Sequence, residues 1–490
     1  SNPSRIGVLT PRLGTQPEKA LSWPQLKALI GSFAVALIYA TAPIAIAFGP
    51  LQEYKPVLIA PCATLVFTVL QISVFRANLD KTIMEKSIMT LTRRTLLTTT
   101  AYATMATVLP VVAQAESGRP KKPNIIYIIA DDLGVYDLGC YGQKKIHTPN
   151  IDALAAHGMR FTNAYGGAPI CSPSRCALMT GKNMGHATIR DNFALQGGIV
   201  GKRGKESVRR VGLEPGEKTV ATAMTEAGYV TGLVGKWHLD GYDPNAVPTR
   251  HGFQEFHGWL TQTETTQGYF PTQWYSDERL LDIPENLNGR QCVYETDICT
   301  DQACDFIRKH QNAPFFLTVA YNAPHSPHIT PTTGSYAGRP WGEYEKNYAA
   351  MIEFLDAGVG AIVQAVQEAG LERDTIIFVS SDHGPRSEPT AEQTEVVEFF
   401  GSHGSLRGYK RDLYEGGIRV PLIVSWPGHI RAGSVSAEPV YHPDFLPTAV
   451  GFSGYGRIYP DLDGVDISPI LLGRSEIAQR YLYWETYEPS

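Results

Sequence analysis

The sequence predicts an α/β fold with a mostly parallel central sheet flanked by helices, and three observations carry that prediction. Short apolar runs rich in β-branched residues recur at 124–130, 229–234, 315–320 and 375–380. Such continuous runs mark strands buried on both faces. Helical patterns at 219–227 and 348–369 lie between them, and strands alternating with helices build parallel sheets. Each run also ends on a polar cluster: Asp131-Asp132-Leu133-Gly134, Gly235-Lys236-Trp237-His238, Asn322-Ala323-Pro324-His325 and Asp382-His383-Gly384. Ligands of open α/β sheets gather at the carboxyl ends of the strands, which is where these clusters fall.

With 490 residues, 43% of them hydrophobic, the chain exceeds one average domain and can bury a sizeable core. A net charge of −5 and the absence of a long basic run exclude a nucleic-acid partner. None of the seven cysteines has zinc-finger spacing. Cys62 lies in an apolar run, while Cys292, Cys299 and Cys304 are close enough in sequence for one local disulfide of undecided pairing.

The first 25 residues are polar and irregular and do not begin with Met. Uncharged apolar runs follow at 28–49 and 57–75, each near the length that spans a bilayer. Residues 1–88 therefore read as an apolar region with two transmembrane segments, as a buried helix pair, or as mistranslated upstream sequence. Met89 opens a second pattern, with Arg93-Arg94, an uncharged Thr- and Ala-rich stretch, and Ala113-Gln114-Ala115. That is the layout of a signal peptide over 89–115 with a twin-arginine character, and Met89 is expected to be the true start. A polar linker at 116–122 leads into the main domain, 123–490.

Within that domain, 253–288 and 334–344 are rich in aromatic, Gly and Pro residues and lack periodicity. They are expected to be long loops over the site. After the polar stretch 409–421, which contains Lys410, residues 422–426 form a further strand.

The stretch Cys171-Ser172-Pro173-Ser174-Arg175 stands apart. Pro173 suits the first turn of a helix, which places Cys171 at a helix N-terminus, an end that attracts anions. Asp131 and Asp132 repel one another unless a cation or basic group lies between them. With Asp382 they supply hard oxygen donors, which select calcium or magnesium, and His383 adds a nitrogen.

The C-x-P-x-R pentapeptide resembles the maturation motif of type I (formylglycine-dependent) sulfatases of the alkaline-phosphatase superfamily. The resemblance, arylsulfatase-like, runs from about 123 to 485. It implies that a formylglycine-generating enzyme oxidises Cys171 to an aldehyde. It further implies a metal shell of Asp131, Asp132, Cys171, Asp382 and His383 around one divalent cation, Ca2+ ahead of Mg2+. Many family members have Asn where His383 stands, which leaves the ion less determined. The hydrated aldehyde carries two hydroxyls on one carbon: one attacks sulfur and displaces the alcohol, and deprotonation of the other expels sulfate. By resemblance, His238 is the base, His325 assists the leaving group in preference to His328, Lys236 and Lys410 hold sulfate oxygens, and Arg175 bonds the formylglycine hydroxyl. Arg190-Asp191-Asn192 are candidate substrate contacts.

The resemblance also implies a small C-terminal antiparallel subdomain, which this chain is expected to hold incompletely. It implies a sulfated small molecule or sulfated carbohydrate as substrate, and the signal-like stretch 89–115 leads one to expect export machinery and delivery of the enzyme to the periplasm or beyond. It is membrane-anchored if the N-terminal apolar runs belong to it. Three other readings compete. A phosphonate monoester or phosphodiester hydrolase shares the motif; a phosphoethanolamine-type transferase would use Thr and zinc, which Cys171 argues against; a non-catalytic sulfated-glycan-binding protein requires unmodified Cys171.

Overall fold

The computed structural model describes residues 122–487 apart from 195, 204, 262–267, 388–390 and 458. The apolar runs at 28–49 and 57–75, Cys62 and the signal peptide expected at 89–115 lie outside the described residues.

Strand β1 (Asn124–Ala130) is the spine of the sheet. The others are β2 (Met159–Phe161), β3 (Ala164–Tyr165), β4 (Ile199–Arg203), β5 (Glu206–Arg210), β6 (Val230–Lys236), β7 (Glu255–Trp259), β8 (Gln273–Ser276), β9 (Arg279–Asp282), β10 (Phe315–Ala320), β11 (Thr375–Ser381), β12 (Leu422–Ser425), β13 (Ser434–Ser436) and β14 (Val440–Tyr441). The main sheet has the order β13-β2-β12-β11-β1-β10-β6-β7-β8-β9. Its centre, β11-β1-β10-β6-β7, is parallel throughout, so the carboxyl ends of five strands share one edge.

Both faces of the sheet are buried. On one, Ile125, Tyr127 and Ile129 pack with α2 (Cys171–Thr180), α3 (Val220–Glu226) and α7 (Phe445–Ser453). On the other, Ile126, Ile128 and Ala130 pack with α1 (Pro149–His157), α4 (Glu295–His310), α5 (Glu343–Glu368) and α6 (Ala391–Phe400). The period-2 geometry of a strand sends successive side chains to opposite faces. Each fully buried Ile contributes about 2 kcal/mol. Among the described residues α5 is the one helix long and apolar enough to cross a membrane, but its apolar stripe lies in this core.

Three expectations need correction. The aperiodic stretch 253–288 is not simply loop: it holds β7 and the antiparallel pair β8–β9, which extend the sheet. These strands are short, and β9 is exposed, so no long apolar run announces them. β7 is drawn to β6 at Gly258, where an added Cβ would sit 1.9 Å from Gly235 O; only glycine allows that approach. Helix α5 begins at Glu343, inside the stretch 334–344 and five residues before the apolar pattern starts. Its first turn is polar, and Glu343 and Glu345 there complement the helix dipole. Finally, Cys292, Cys299 and Cys304 form no disulfide. Cys299 and Cys304 lie five residues apart on α4, which turns their side chains away from one another.

Candidate active site

Cys171 is the first residue of α2, with Ile170 extended before it as N-cap. Ile170 has no side-chain oxygen to cap the helix, and Asn192 supplies one: its Oδ1 accepts the Ser172 N–H at 3.0 Å. Of the triplet 190–192, only Asn192 touches the helix end in this way. Arg190 donates to the Ala187 and Gly185 carbonyls and pairs with Glu485, while Asp191 accepts from Phe193 N.

The Cys171 side chain is 1% exposed. Its Sγ lies 3.2 Å from His383 Nε2 and 3.5 Å from Asp131 Oδ1. Asp131 and Asp132 follow β1, and Asp382 and His383 follow β11, so the parallel pairing of the two strands delivers all four to one point. Ligand atoms of Asp131, Cys171, Asp382 and His383 lie within 4.8 Å of one another, as do those of Asp131, Asp132, Cys171 and His325.

Basic groups close around the carboxylates. The Arg175 guanidinium donates to Asp131 Oδ2 and Lys236 O at 3.0 Å each and to Asp382 Oδ2 at 3.1 Å. Lys236, the last residue of β6, also pairs with Asp131. Lys410 Nζ lies 2.6 Å from Asp132 Oδ1. Burial alone would raise these acids, but Lys236 and Arg175 hold Asp131 well below the usual carboxylate range, and Lys410 and His325 do the same for Asp132. Asp382 moves the other way, raised by burial and by the charge of Asp131. Burial opposes a charged His383, yet Asp382 and Cys171 bring it up to about 9.

The residues fit a divalent cation on these grounds. Three carboxylates crowd together in a buried space, one is forced upward by its neighbour, and Asp132 Oδ2 has no hydrogen-bond partner. His383 Nδ1–H donates to Gly384 O at 2.9 Å, which turns Nε2 toward the cluster, where a cation would take the place of its proton.

Two further histidines reach the same edge. His238, after β6, is 2% exposed and neither ring nitrogen has a hydrogen-bond partner. Burial and the charge of Lys236 push its pKa well down, so it is a neutral base. His325, after β10, donates Nδ1–H to Ser326 O at 2.6 Å, and its Nε2 faces Asp132 Oδ2 at 3.7 Å. Burial takes it down to about 3. His328 lies instead against Tyr348, ring centroids 5.1 Å apart. Asp132 and His238 both sit in the left-handed region, at φ 69° and 62°. Strain of this kind in non-glycine residues is characteristic of working sites.

Every residue the sequence marked as catalytic or metal-ligating thus converges on one edge of the sheet. The bonds of Arg175 to two carboxylates and a carbonyl fix its guanidinium within this cluster. Sequence reasoning passed over several supports. Ser174 Oγ binds the Asp382 carbonyl and His442 Nδ1. Ser381 Oγ accepts Leu133 N–H at 3.1 Å and donates to His383 O at 3.0 Å. Tyr269, from the stretch 253–288, donates its hydroxyl to His325 O at 2.5 Å and so braces the loop that carries it. A serine or tyrosine that acts on backbone carries no spacing signal, and only the fold reveals it.

Comparison with known proteins agrees with this geometry. The family described as Sulfatase matches residues 123–455. Arylsulfatase A of Bos taurus is 35% identical over 395 residues, covering 75% of this chain and 71% of that protein. The crystal structure of Ps i-CgsB in complex with k-i-k-neocarrahexaose is similar at TM-score 0.60 and 31% identity, covering 73% of this chain and 77% of that one. The Phosphonate Monoester Hydrolase of Agrobacterium radiobacter shares the fold at TM-score 0.51 and 23% identity, over 73% of this chain and 79% of its own. The Sulfatase match takes in all five central strands and every residue of the Cys171 cluster, so this chain belongs to the sulfatase family and is a hydrolase of sulfate esters.

Proposed function

We propose that the chain is an arylsulfatase-like sulfuric ester hydrolase that works through formylglycine made from Cys171, with Asp131, Asp132, Asp382 and His383 holding one divalent cation. The observation that carries this is the burial of the Cys171 Sγ inside a shell of carboxylate and imidazole ligands at a helix N-terminus. Hard oxygen donors favour Ca2+, with Mg2+ second. The cation and the aldehyde hydrate together supply an ionised hydroxyl at neutral pH and a route by which sulfate leaves.

The chain's own side chains do the rest. Lys236 and Lys410 set two ammonium groups beside the carboxylates, where they hold the oxygens of a bound sulfate and take up charge that develops there. Arg175 keeps Asp131 and Asp382 in place across its fork. His238, neutral and unbonded, accepts a proton. His325 has its Nδ1 proton committed to Ser326 O, so Nε2 is the nitrogen that gives a proton to the departing alcohol. Burial, and after it the charge of Lys410, holds this imidazole neutral in the free chain, and the negative charge of a bound sulfate ester favours its protonated form.

A sulfated carbohydrate is the substrate class favoured, since a similar structure holds a neocarrahexaose. The export signal at 89–115 supports a periplasmic or extracellular location, with export machinery and a maturation enzyme as partners. N-terminal sequencing of the native protein tests the location; residues before 115 would overturn cleavage there.

The test of the chemistry is the mass of the Cys171 peptide after expression with a formylglycine-generating enzyme, joined to parallel assays on an aryl sulfate and an aryl phosphonate. An aldehyde or its hydrate with preference for sulfate is expected. Unmodified Cys171 favours the binding-protein reading, and preference for phosphonate the other hydrolase.

A further inference from the structure

Strands β4 and β5 form a two-stranded sheet separate from the main one. Residues 199–210 hold five basic residues against one acid, a net charge of +4, in a chain whose net charge is −5. Lys202, Lys205 and Arg209 are exposed on it.

Both flanks of this hairpin are tied to the active site. On the side of Asn192, which caps the Cys171 helix, Ala194 N donates to Arg209 O at 2.8 Å, and the Arg210 guanidinium lies 5.6 Å from the Phe193 ring. On the side of His238, Leu213 N donates to Leu239 O, and Tyr242 covers the hairpin face. The Tyr242 hydroxyl donates to Lys202 O at 3.1 Å, its ring lies 5.3 Å from Arg210, and it fills the space a side chain at Gly201 would need. Arg210 is buried and close enough for its charge to bear on His238. The hairpin therefore rises from the rim of the site. Lys202 stands three residues, about 10 Å, along the strand from Ile199 at the base.

We propose that the β4–β5 hairpin is an accessory anion-binding rim, which grips a second negatively charged group, sulfate ester or carboxylate, of an oligosaccharide whose scissile sulfate sits at Cys171. This rests on the sulfate-ester reading of the Cys171 cluster and adds the class of substrate: a polyanionic carbohydrate chain rather than a single sulfated ring. Exposed Lys and Arg side chains hold a free anion only weakly, in the way of surface ion pairs. An anion tethered to a molecule already seated in the site meets them at high effective concentration, and the weak contacts then add to affinity. An arrangement fastened to both Phe193-Ala194, next to Asn192, and the 239–242 loop serves a ligand of the site, not an unrelated surface partner.

The experiment compares the wild type with a Lys202→Ala/Lys205→Ala/Arg209→Ala variant on four substrates. These are an aryl sulfate, an oligosaccharide with only the scissile sulfate, and oligosaccharides that add remote sulfates or remote carboxylates. Three exposed contacts together give about a tenfold rise in KM on the polyanionic substrates, with kcat unchanged. Raising the salt on the wild type reproduces the loss, because exposed charges are screened. Turnover of the aryl sulfate by the variant stays at the wild-type level, which also shows that the variant is folded. A loss confined to one polyanion assigns the group gripped. Equal losses on all four substrates, or unchanged kinetics on both polyanions, overturn the proposal whatever else the hairpin binds. Calorimetric titration with the polyanionic oligosaccharide reads the rim without turnover, so a wild type that hydrolyses no aryl sulfate counts against the catalytic reading alone.

Discussion

Lys410 Nζ lies 2.6 Å from Asp132 Oδ1 across 278 residues of sequence, while the other oxygen of the same carboxylate has no hydrogen-bond partner. One ammonium therefore neutralises half of the group, on the oxygen that also lies 3.5 Å from His383 Nε2, and leaves a buried acceptor on the side of His325. Removal of divalent ions with a chelator is expected to abolish turnover and lower the melting temperature. Calcium at a hundredfold excess over its Kd returns about 2.7 kcal/mol of stability. Asp132→Asn is expected to weaken calcium binding by at least about 100-fold, read by calorimetry on the unreacted enzyme. Unchanged affinity in that variant would remove Asp132 from the shell.

The two candidate acids, His325 and His328, are separated by their neighbours, Asp132 for the first and the Tyr348 ring for the second. His325→Ala is expected to reduce kcat on an alkyl or sugar sulfate by about 100-fold or more and to spare a nitrophenyl sulfate, whose leaving group needs no proton. His328→Ala should leave the ratio between the two substrates unchanged. Equal losses on both substrates in His325→Ala would assign that residue to positioning.

Asn192 bonds the Ser172 N–H at the open end of α2. Asn192→Ala is expected to cost about 1 kcal/mol of stability, the ordinary worth of a helix cap, measured as the denaturant midpoint. Because the cap sits one residue from Cys171, kcat falls as well, whereas Asn192→Asp restores stability. A variant as stable as the parent would mean that solvent caps the helix instead.

Glu295 is buried beside Trp259, Cys299 and Thr296, and burial raises its pKa from 4.5 to about 7. The folded chain therefore holds a proton that the unfolded chain has released between those two values. Stability on this account is full below pH 4.5, declines as pH rises, and reaches its floor above pH 7, a span on the order of 3 kcal/mol. Glu295→Gln is expected to match the wild type near pH 4.5 and to exceed it at pH 8. A constant difference across pH in thermal melts would show that Glu295 does not titrate in that window.

Much of this was legible from residues alone, for a physical reason. Asp131, Lys236, His325 and Asp382 each end or follow an unbroken apolar strand, and a parallel sheet brings such ends together whatever lies between them. Strands β7, β8 and β9 escaped notice because they pair through backbone at the sheet's edge and carry too few apolar side chains to form a run. The polar first turn of α5 was lost likewise, since Glu343 and Glu345 answer to the helix dipole and not to the core. Arg175 could be marked from its motif, but its bond to Lys236 O depends on where β6 ends. The caps and braces made by Asn192, Ser381 and Tyr269 act on backbone groups far away in sequence, which no local pattern encodes.

The burial of Cys171 has a kinetic meaning. A side chain 1% exposed beneath a finished sheet is out of reach of any second protein, so an enzyme that acts on that thiol must find it while the chain is still open. Folding and modification then run as a race with one winner per molecule. On the formylglycine reading a preparation is expected to hold two populations with the same fold and opposite fates, and its specific activity to record how often modification won.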